Sequence, residues 1–236
     1  MKTKISKDPE VFQGEKSLKY LHDYFEGWYF KHSSPSDSIA FIPGIQIKNN
    51  FASAFLQIIT TTESYYLTFP IEDFSFHHSP FYIQIGKNYF SKQMILLDIS
   101  KIDAKGNLVQ LSGQLEYSPF SEIKKSKWSP NIMGPFSHLS FMECNHAILS
   151  MKHSVSGILM FNGKILNFDQ GIGYIEKDWG TSFPSSYLWC QANDFFTRTT
   201  SFFLSIATIP FLNFEFQGLI CVLLNKRHRI SFCHLQ

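Results

Sequence analysis

Charge and cysteine are both scarce in this chain. Asp, Glu, Lys and Arg make up 17% of its 236 residues and the formal net charge is +2. That leaves no electrostatic footprint of the kind that binds nucleic acid. Its four cysteines, Cys144, Cys190, Cys221 and Cys233, include no CxxC pair and no metal-ligand spacing, so reduced thiols are expected. A Gly-x-Ser-x-Gly elbow, a P-loop and a dinucleotide fingerprint are all missing, which removes serine hydrolase, nucleotide-binding and dehydrogenase readings. His146 and His153 come nearest to a metal pair, but seven residues of strand place them on opposite faces. The expectation is no metal and no cofactor. The amino-terminal residues lack a signal peptide's apolar core. The most apolar tract, Phe202 to Phe216, is broken by Pro210 and Asn213 and is too short to span a bilayer. The expected location is cytoplasmic or peripheral to a membrane.

What the chain has in quantity is aromatic surface: 17% of residues, including 25 Phe. Lys, Ile, Asn and Phe are abundant together, the usage expected of an AT-rich genome, and part of the Phe count is expected on that ground alone. Rings fill cores, but they also line apolar cavities and stabilise cations over their faces. Short apolar runs recur between turn signals, at Phe25 to His32, Ser38 to Ile47, Ala52 to Thr60, Ser64 to Phe69, Phe81 to Ile85, Tyr89 to Ser91, Met94 to Ser100 and Leu108 to Glu116. No window sustains a helical apolar period, so the fold class is all-β with antiparallel strands. The adjacent His77 and His78 read as a solvated loop pair. Between Pro119 and Pro135 a Lys-rich passage with Trp128, Ser129 and Pro130 reads as a long excursion. A second set of strands is expected from Lys164 on, with the run at Arg229 to Phe232 as an edge strand. The chain then reads as residues 1–155 forming a first β-unit and 156–236 a second one, incomplete at its carboxyl end. Phe214, Phe216 and Leu219 would consequently be left partly uncovered.

The chemistry concentrates at Gly173 to Gly180 and Tyr187 to Asn193. Strand alternation places Glu176 and Asp178 on one face and Lys177 and Trp179 on the other. It likewise aligns Trp189, Gln191 and Asn193 on one face, with Leu188, Cys190 and Ala192 behind them. Near the amino terminus, Glu26, Trp28 and Phe30 share a face opposite Tyr29 and Lys31. Rings beside amides and acids suit a cavity that holds an apolar ligand by a few polar groups. A buried carboxyl has its pKa raised by desolvation, and two buried carboxyls on one face cannot easily both ionise. Asp178 and Glu176 are therefore the carboxyls best placed to stay protonated, with Glu143 and Glu26 next. His146 is a further acid or base candidate. Trp28, Trp179 and Trp189 are expected around one shared cavity. In the plainer reading these acids brace barrel corners or pair with Lys31 or Lys177.

Taken in order, FEGWYFK, SPNIMGPFS, MECNHAILSMKHSVSG and GYIEKDWGTSFPSSYLWCQANDF resemble the tocopherol cyclase family over most of the chain, from about Phe25 to about Leu224. They are more distantly similar to carotenoid hydratases. The resemblance implies two lipocalin-like β-barrels, the second truncated here. It implies an acid-assisted cyclisation, an intramolecular lyase or isomerase reaction, on a prenylated quinol or isoprenoid without a cofactor. Asp178, Glu176, Glu143 and His146 would then be the catalytic set. Glu26, Trp28, Tyr29, Trp179, Trp189, Gln191 and Asn193 would line the substrate. A carrier that keeps the cavity without chemistry is the alternative, and a truncated, inactive remnant is a third.

Overall fold

The computed structural model describes residues 10–123, 131–134, 137, 142–195, 199–211, 214–225 and 228–235. The passage with Trp128, Ser129 and Pro130 lies outside them. Numbered in chain order, the strands form two sheets. The larger has twelve strands in the order β4 (Ser64–Pro70), β3 (Phe51–Thr60), β2 (Ser38–Lys48), β1 (Tyr24–Ser33), β12 (Gly171–Gly180), β10 (Cys144–Phe161), β9 (Leu108–Tyr117), β8 (Met94–Ile102), β7 (Asn88–Ser91), β6 (Phe81–Ile85) and β5 (Phe74–His78), with β11 (Lys164–Asn167) paired to β10. The smaller holds β13 (Ser186–Ala192), β14 (Ser201–Phe211), β15 (Phe214–Asn225) and β16 (His228–Leu235). The all-β antiparallel class expected from the strand pattern is what the chain adopts. The larger sheet curls around one apolar core, yet its end strands β4 and β5 do not pair with each other. No helix among the described residues is long and apolar enough to cross a membrane.

Three sequence expectations change. His77 and His78 lie in β5, paired with Tyr82 and Phe81 of β6, rather than in a loop. Residue 155 falls inside the 18-residue strand β10, so the sheets do not divide there. Both β11 and β12 join the larger sheet, and the change of sheet comes between Gly180 and Ser186. The physical reason is pairing across long sequence separation: β12 fills the gap between β1 and β10, with Glu26 opposite Trp179 and His146 opposite Asp178. Strand β16 forms one end of the smaller sheet, as expected of the run at Arg229 to Phe232. The side chain of Phe214 lies outside the described residues, while Phe216 and Leu219 are half-buried.

Alternation decides what β1 and β12 bury. Tyr24, Glu26, Trp28, Phe30 and His32 point into the core of the larger sheet, where Ile175 and Trp179 of β12 meet them. The other face of β12, with Tyr174, packs on a second core built with Ile148, Met151, Phe203 and Val222. Strand β12 is therefore covered on both sides. Close approach at its ends demands glycine: a Cβ on Gly180 would sit 1.9 Å from the Glu143 carbonyl oxygen, and one on Gly173 would sit 2.1 Å from His153 Nε2.

Lys177 and Glu26 meet inside the first core. Their charged atoms are 2.5 Å apart and neither side chain reaches solvent. The Tyr24 hydroxyl donates to Glu26 Oε2 at 2.7 Å, and the Gln13 amide donates to both carboxylate oxygens at 3.1 and 3.0 Å. Lys177 donates to the Val11 carbonyl at 2.8 Å, with the Trp28 and Trp179 ring centroids 4.8 and 4.7 Å away. Such a pair is satisfied on every side, so breaking one partner strands the other in low dielectric. Glu26→Gln or Lys177→Met alone should destabilise the protein by about 3–5 kcal/mol, and the two together by clearly less than the sum. Urea unfolding of the four proteins measures this; simple additivity would show that the charges are not coupled.

Candidate active site between the sheets

The outward face of the larger sheet carries the polar cluster. Tyr29 lies directly opposite Glu176, and His146 directly opposite Asp178. Directly opposed residues project to the same side, with Cβ atoms roughly 5 Å apart, so β1, β12 and β10 bring these four side chains together. Strands β13 and β14 close the face from the other side with Trp189 and Phe203.

Glu176 is the centre of this arrangement. It is 5% exposed. The Tyr174 hydroxyl donates to its Oε2 at 2.6 Å and the Trp189 indole N–H donates to the same oxygen at 3.1 Å. No hydrogen bond reaches Oε1 from the described residues. Burial pushes the Glu176 carboxyl up to about 7 despite the cation of His146 nearby, and the Asp178 charge adds to the rise. His146 bridges the two acids. Its Nδ1 is 2.7 Å from Asp178 Oδ1 and its Nε2 is 3.7 Å from Glu176 Oε2. Burial alone would lower the His146 pKa, but the Asp178 carboxylate and its hydrogen bond, helped by Glu176, raise it to about 9. The imidazole lies flat against Phe203, with centroids 5.0 Å apart and planes 11° from parallel. Tyr29 meets the edge of Trp189 at 5.7 Å.

The remaining members of the sequence-predicted set divide by position. Gln191 and Asn193 are buried on the same seam: Lys31 Nζ donates to Gln191 Oε1 at 2.8 Å, and Asn193 Nδ2 donates to the Gly173 carbonyl at 3.1 Å. The opposite face of β13 is not a small apolar wall, since Leu188 and Cys190 are exposed. Glu143 is exposed as well, and its carbonyl takes the Thr181 amide at 2.8 Å, so its side chain stays apart from the cluster. Glu26, Trp28 and Trp179 sit across β12 around Lys177. The three tryptophans therefore do not share one cavity: Trp28 and Trp179 face the first core, and Trp189 faces Glu176. His153 lies on the inner side with Tyr117 and Phe120, away from His146. Among the described residues no group of three or more His, Cys, Asp or Glu is placed to hold a metal.

Three contributors escaped the sequence reading. Tyr174 stands two residues before Glu176 on the same strand face, and alternation alone could have found it. The Met133 sulfur accepts the His146 backbone N–H at 3.2 Å, which places the NIMG stretch against the site. Phe203 carries no signal within its apolar run. Farther along the seam a cavity of about 920 Å³ opens between the sheets, lined by Ser33, Lys152, Ile172, Asp194 and Phe195 among others. Ile172 shares its strand face with Glu176, four residues or roughly 13 Å away.

The polar seam, the acid and the two-sheet frame can be set beside known proteins. The maize (Zea mays) chloroplastic tocopherol cyclase is 20% identical over 220 residues, which cover 73% of this chain and 46% of that protein. The chain thus spans about half the length of this relative. Among solved structures, CghA aligns with a TM-score of 0.52 at 9% identity, covering 86% of this chain and 58% of that one. Its complex with Sch210972 aligns with a TM-score of 0.51 at 8% identity and the same coverage. At these identities the likeness is one of fold. The tocopherol cyclase-like family profile matches residues 101–222, more than half of the chain and all of β10 and β12 with the acid cluster they carry; the chain belongs to the tocopherol cyclase-like family.

Proposed function

We propose that the protein catalyses acid-assisted C–O bond formation on a prenyl double bond, with Glu176 as the proton donor and a prenylated quinol as the substrate class. The observation that carries the reading is the setting of Glu176: buried, its carboxyl pushed up to about 7, bonded through Oε2, and with no hydrogen bond to Oε1 from the described residues. A carboxylic acid so placed presents its proton from Oε1 to whatever lies in the seam. The family supplies the prior that the acceptor is a prenyl alkene.

In this mechanism the Glu176 O–H bond breaks as a C–H bond forms at the less substituted alkene carbon. Tertiary cationic character is left on its neighbour. The rings of Tyr29, Tyr174, Trp189 and Phe203 are aromatic surface beside Glu176 that can stabilise it, and water held there would compete for the cation. A phenolic oxygen of the same substrate then closes the C–O bond, and its proton passes to the Glu176 carboxylate. No electrons are gained or lost overall. While Glu176 is ionised, the imidazolium of His146 faces its Oε2, held in place by Asp178. Asp178 is accordingly a positioning residue. The cavity along the seam has the size of a small-molecule site and gives a long substrate room beyond the reacting carbon.

Glu176→Gln preserves shape and removes the proton. Turnover of a prenylated quinol should fall roughly 10²- to 10⁴-fold while ligand binding persists, and Asp178→Asn should lose less because it acts through His146. Turnover unchanged in Glu176→Gln removes the residue from the mechanism.

The pH profile gives an independent reading. The acid must be protonated, so kcat/KM should decline as pH rises through about 7. His146 is a cation that holds the Glu176 pKa down, so His146→Gln should move this decline to higher pH. The same protons act on stability. Glu176 and His146 both bind protons more tightly folded than unfolded, so the stability they contribute is greatest at low pH and is lost as pH rises through about 7 and then about 9. Urea midpoints against pH, compared between wild type and Glu176→Gln, test that direction; a wild-type midpoint that climbs across this range contradicts it.

A further inference from the structure

Beside the acid, two side chains have more donors than partners. Gln191 is 8% exposed; its Oε1 accepts from Lys31, while its amide nitrogen is buried with no hydrogen-bond partner among the described residues. The amide orientation is fixed by chemistry, because an ammonium only donates and must face the oxygen. Lys31 carries three donor protons and makes this single hydrogen bond at 2.8 Å, with no ion pair among the described residues. Burial lowers its pKa, and the charges of Glu176 and Asp194 only partly oppose that. A buried amide N–H without an acceptor and a half-buried ammonium with one thus lie side by side. Buried donors left unpaired are costly, and an oxygen placed between them would satisfy both.

Their position relative to the acid is set by register. Lys31 lies opposite Tyr174, and Tyr29 opposite Glu176, so Lys31 is the diagonal neighbour of Glu176, roughly 7–8 Å away between Cα atoms. Gln191 stands two residues beyond Trp189 on the same face of β13, and the Trp189 indole bonds Glu176. The donor pair is one strand repeat along the seam from the proton donor. A ring oxygen held there lies within reach of a double bond held at Glu176.

We infer that Lys31 and Gln191 bind an oxygen atom on the aromatic ring of the substrate, and that they select an oxygenated ring carrying a prenyl chain over a plain hydrocarbon. This rests on Glu176 being the acid. The ammonium favours negative charge on the bound oxygen, which makes a phenolic oxygen the better nucleophile for closing the ring. An analogue without oxygen leaves the Gln191 amide N–H buried and unpaired, the situation in which polar sites discriminate most strongly.

Binding, measured apart from turnover, separates the two ideas. Geranylhydroquinone and geranylbenzene differ only in their ring oxygens, and their affinities can be compared by titration calorimetry in dilute detergent. The wild type should bind the hydroquinone tighter by about tenfold or more. Gln191→Glu keeps the side-chain shape and the acceptor for Lys31 but removes the amide donor. Lys31→Met removes the ammonium. Both should bring the ratio close to one while geranylbenzene still binds about as in the wild type, which also reports a folded site. Glu176→Gln should lose turnover and keep the ratio. A wild-type ratio near one, a ratio that survives both substitutions, or failure of either compound to bind overturns the inference. Full turnover in Glu176→Gln overturns the assignment of the acid and leaves the oxygen site to stand or fall on its ratio.

Discussion

Strand β12 is buried on both faces and carries Glu176, Lys177 and Asp178 in succession. Alternation sends these charges to opposite sides, and neither side is bulk water. Lys177 must find its counter-charge inside the first core, and Glu26 with Tyr24 and the Gln13 amide surrounds that pair. Glu176 must either stay protonated or meet a cation in the seam: burial raises its carboxyl to about 7, and His146 stands 3.7 Å from its Oε2. A shift of register by one residue would put a lysine against His146 and two acids against Glu26. The buried charges therefore fix the pairing of β12 with β1 and β10 as firmly as the apolar residues do, and the acid site is a consequence of that register.

Much of this was legible in the sequence. Turn residues and alternation located β1 to β4 and β6 to β9 nearly residue by residue, because each is a short apolar run and most are closed by Gly, Asn or Pro. The same alternation separated Glu26, Trp28 and Phe30 from Tyr29 and Lys31, and Glu176 from Lys177. What alternation does not carry is which face meets which neighbour. Trp28 and Trp189 look alike along the chain, and only the insertion of β12 between β1 and β10 sends them into different cores. The same pairing, over some 150 residues between Tyr29 and Glu176, moved β12 into the larger sheet and displaced the expected division at 155. His77 and His78 were misread because their polarity resembles a loop, whereas β5 is an end strand with one neighbour and open solvent beyond it.

The site residues were legible in kind more than in role. Glu176, Asp178 and His146 stood out by spacing, but ranking the acids required burial. Asp178 keeps 29% of its side chain exposed and is tied to His146, while Glu176 keeps 6%. That contrast assigns them different work. Lys31 entered the reading only as the last residue of FEGWYFK and as a possible partner for an acid, since nothing in a sequence marks an ammonium that has one partner where it could have three.

Trp189 has a consequence for timing. It lies on β13, the end strand of the smaller sheet, whose residues from Ser186 to Cys190 are largely open to solvent. Yet its indole and the strand beneath it help exclude water from Glu176 and hold Oε2 in place. If β13 lifts away, water reaches the carboxyl, its affinity for the proton drops toward that of an ordinary glutamate, and at neutral pH it no longer holds a proton to give. The proton on Glu176 and the docking of the smaller sheet are thereby linked: the carboxyl keeps its raised affinity only while β13 covers it, and a seam opened to admit or release a ligand is one in which it ionises.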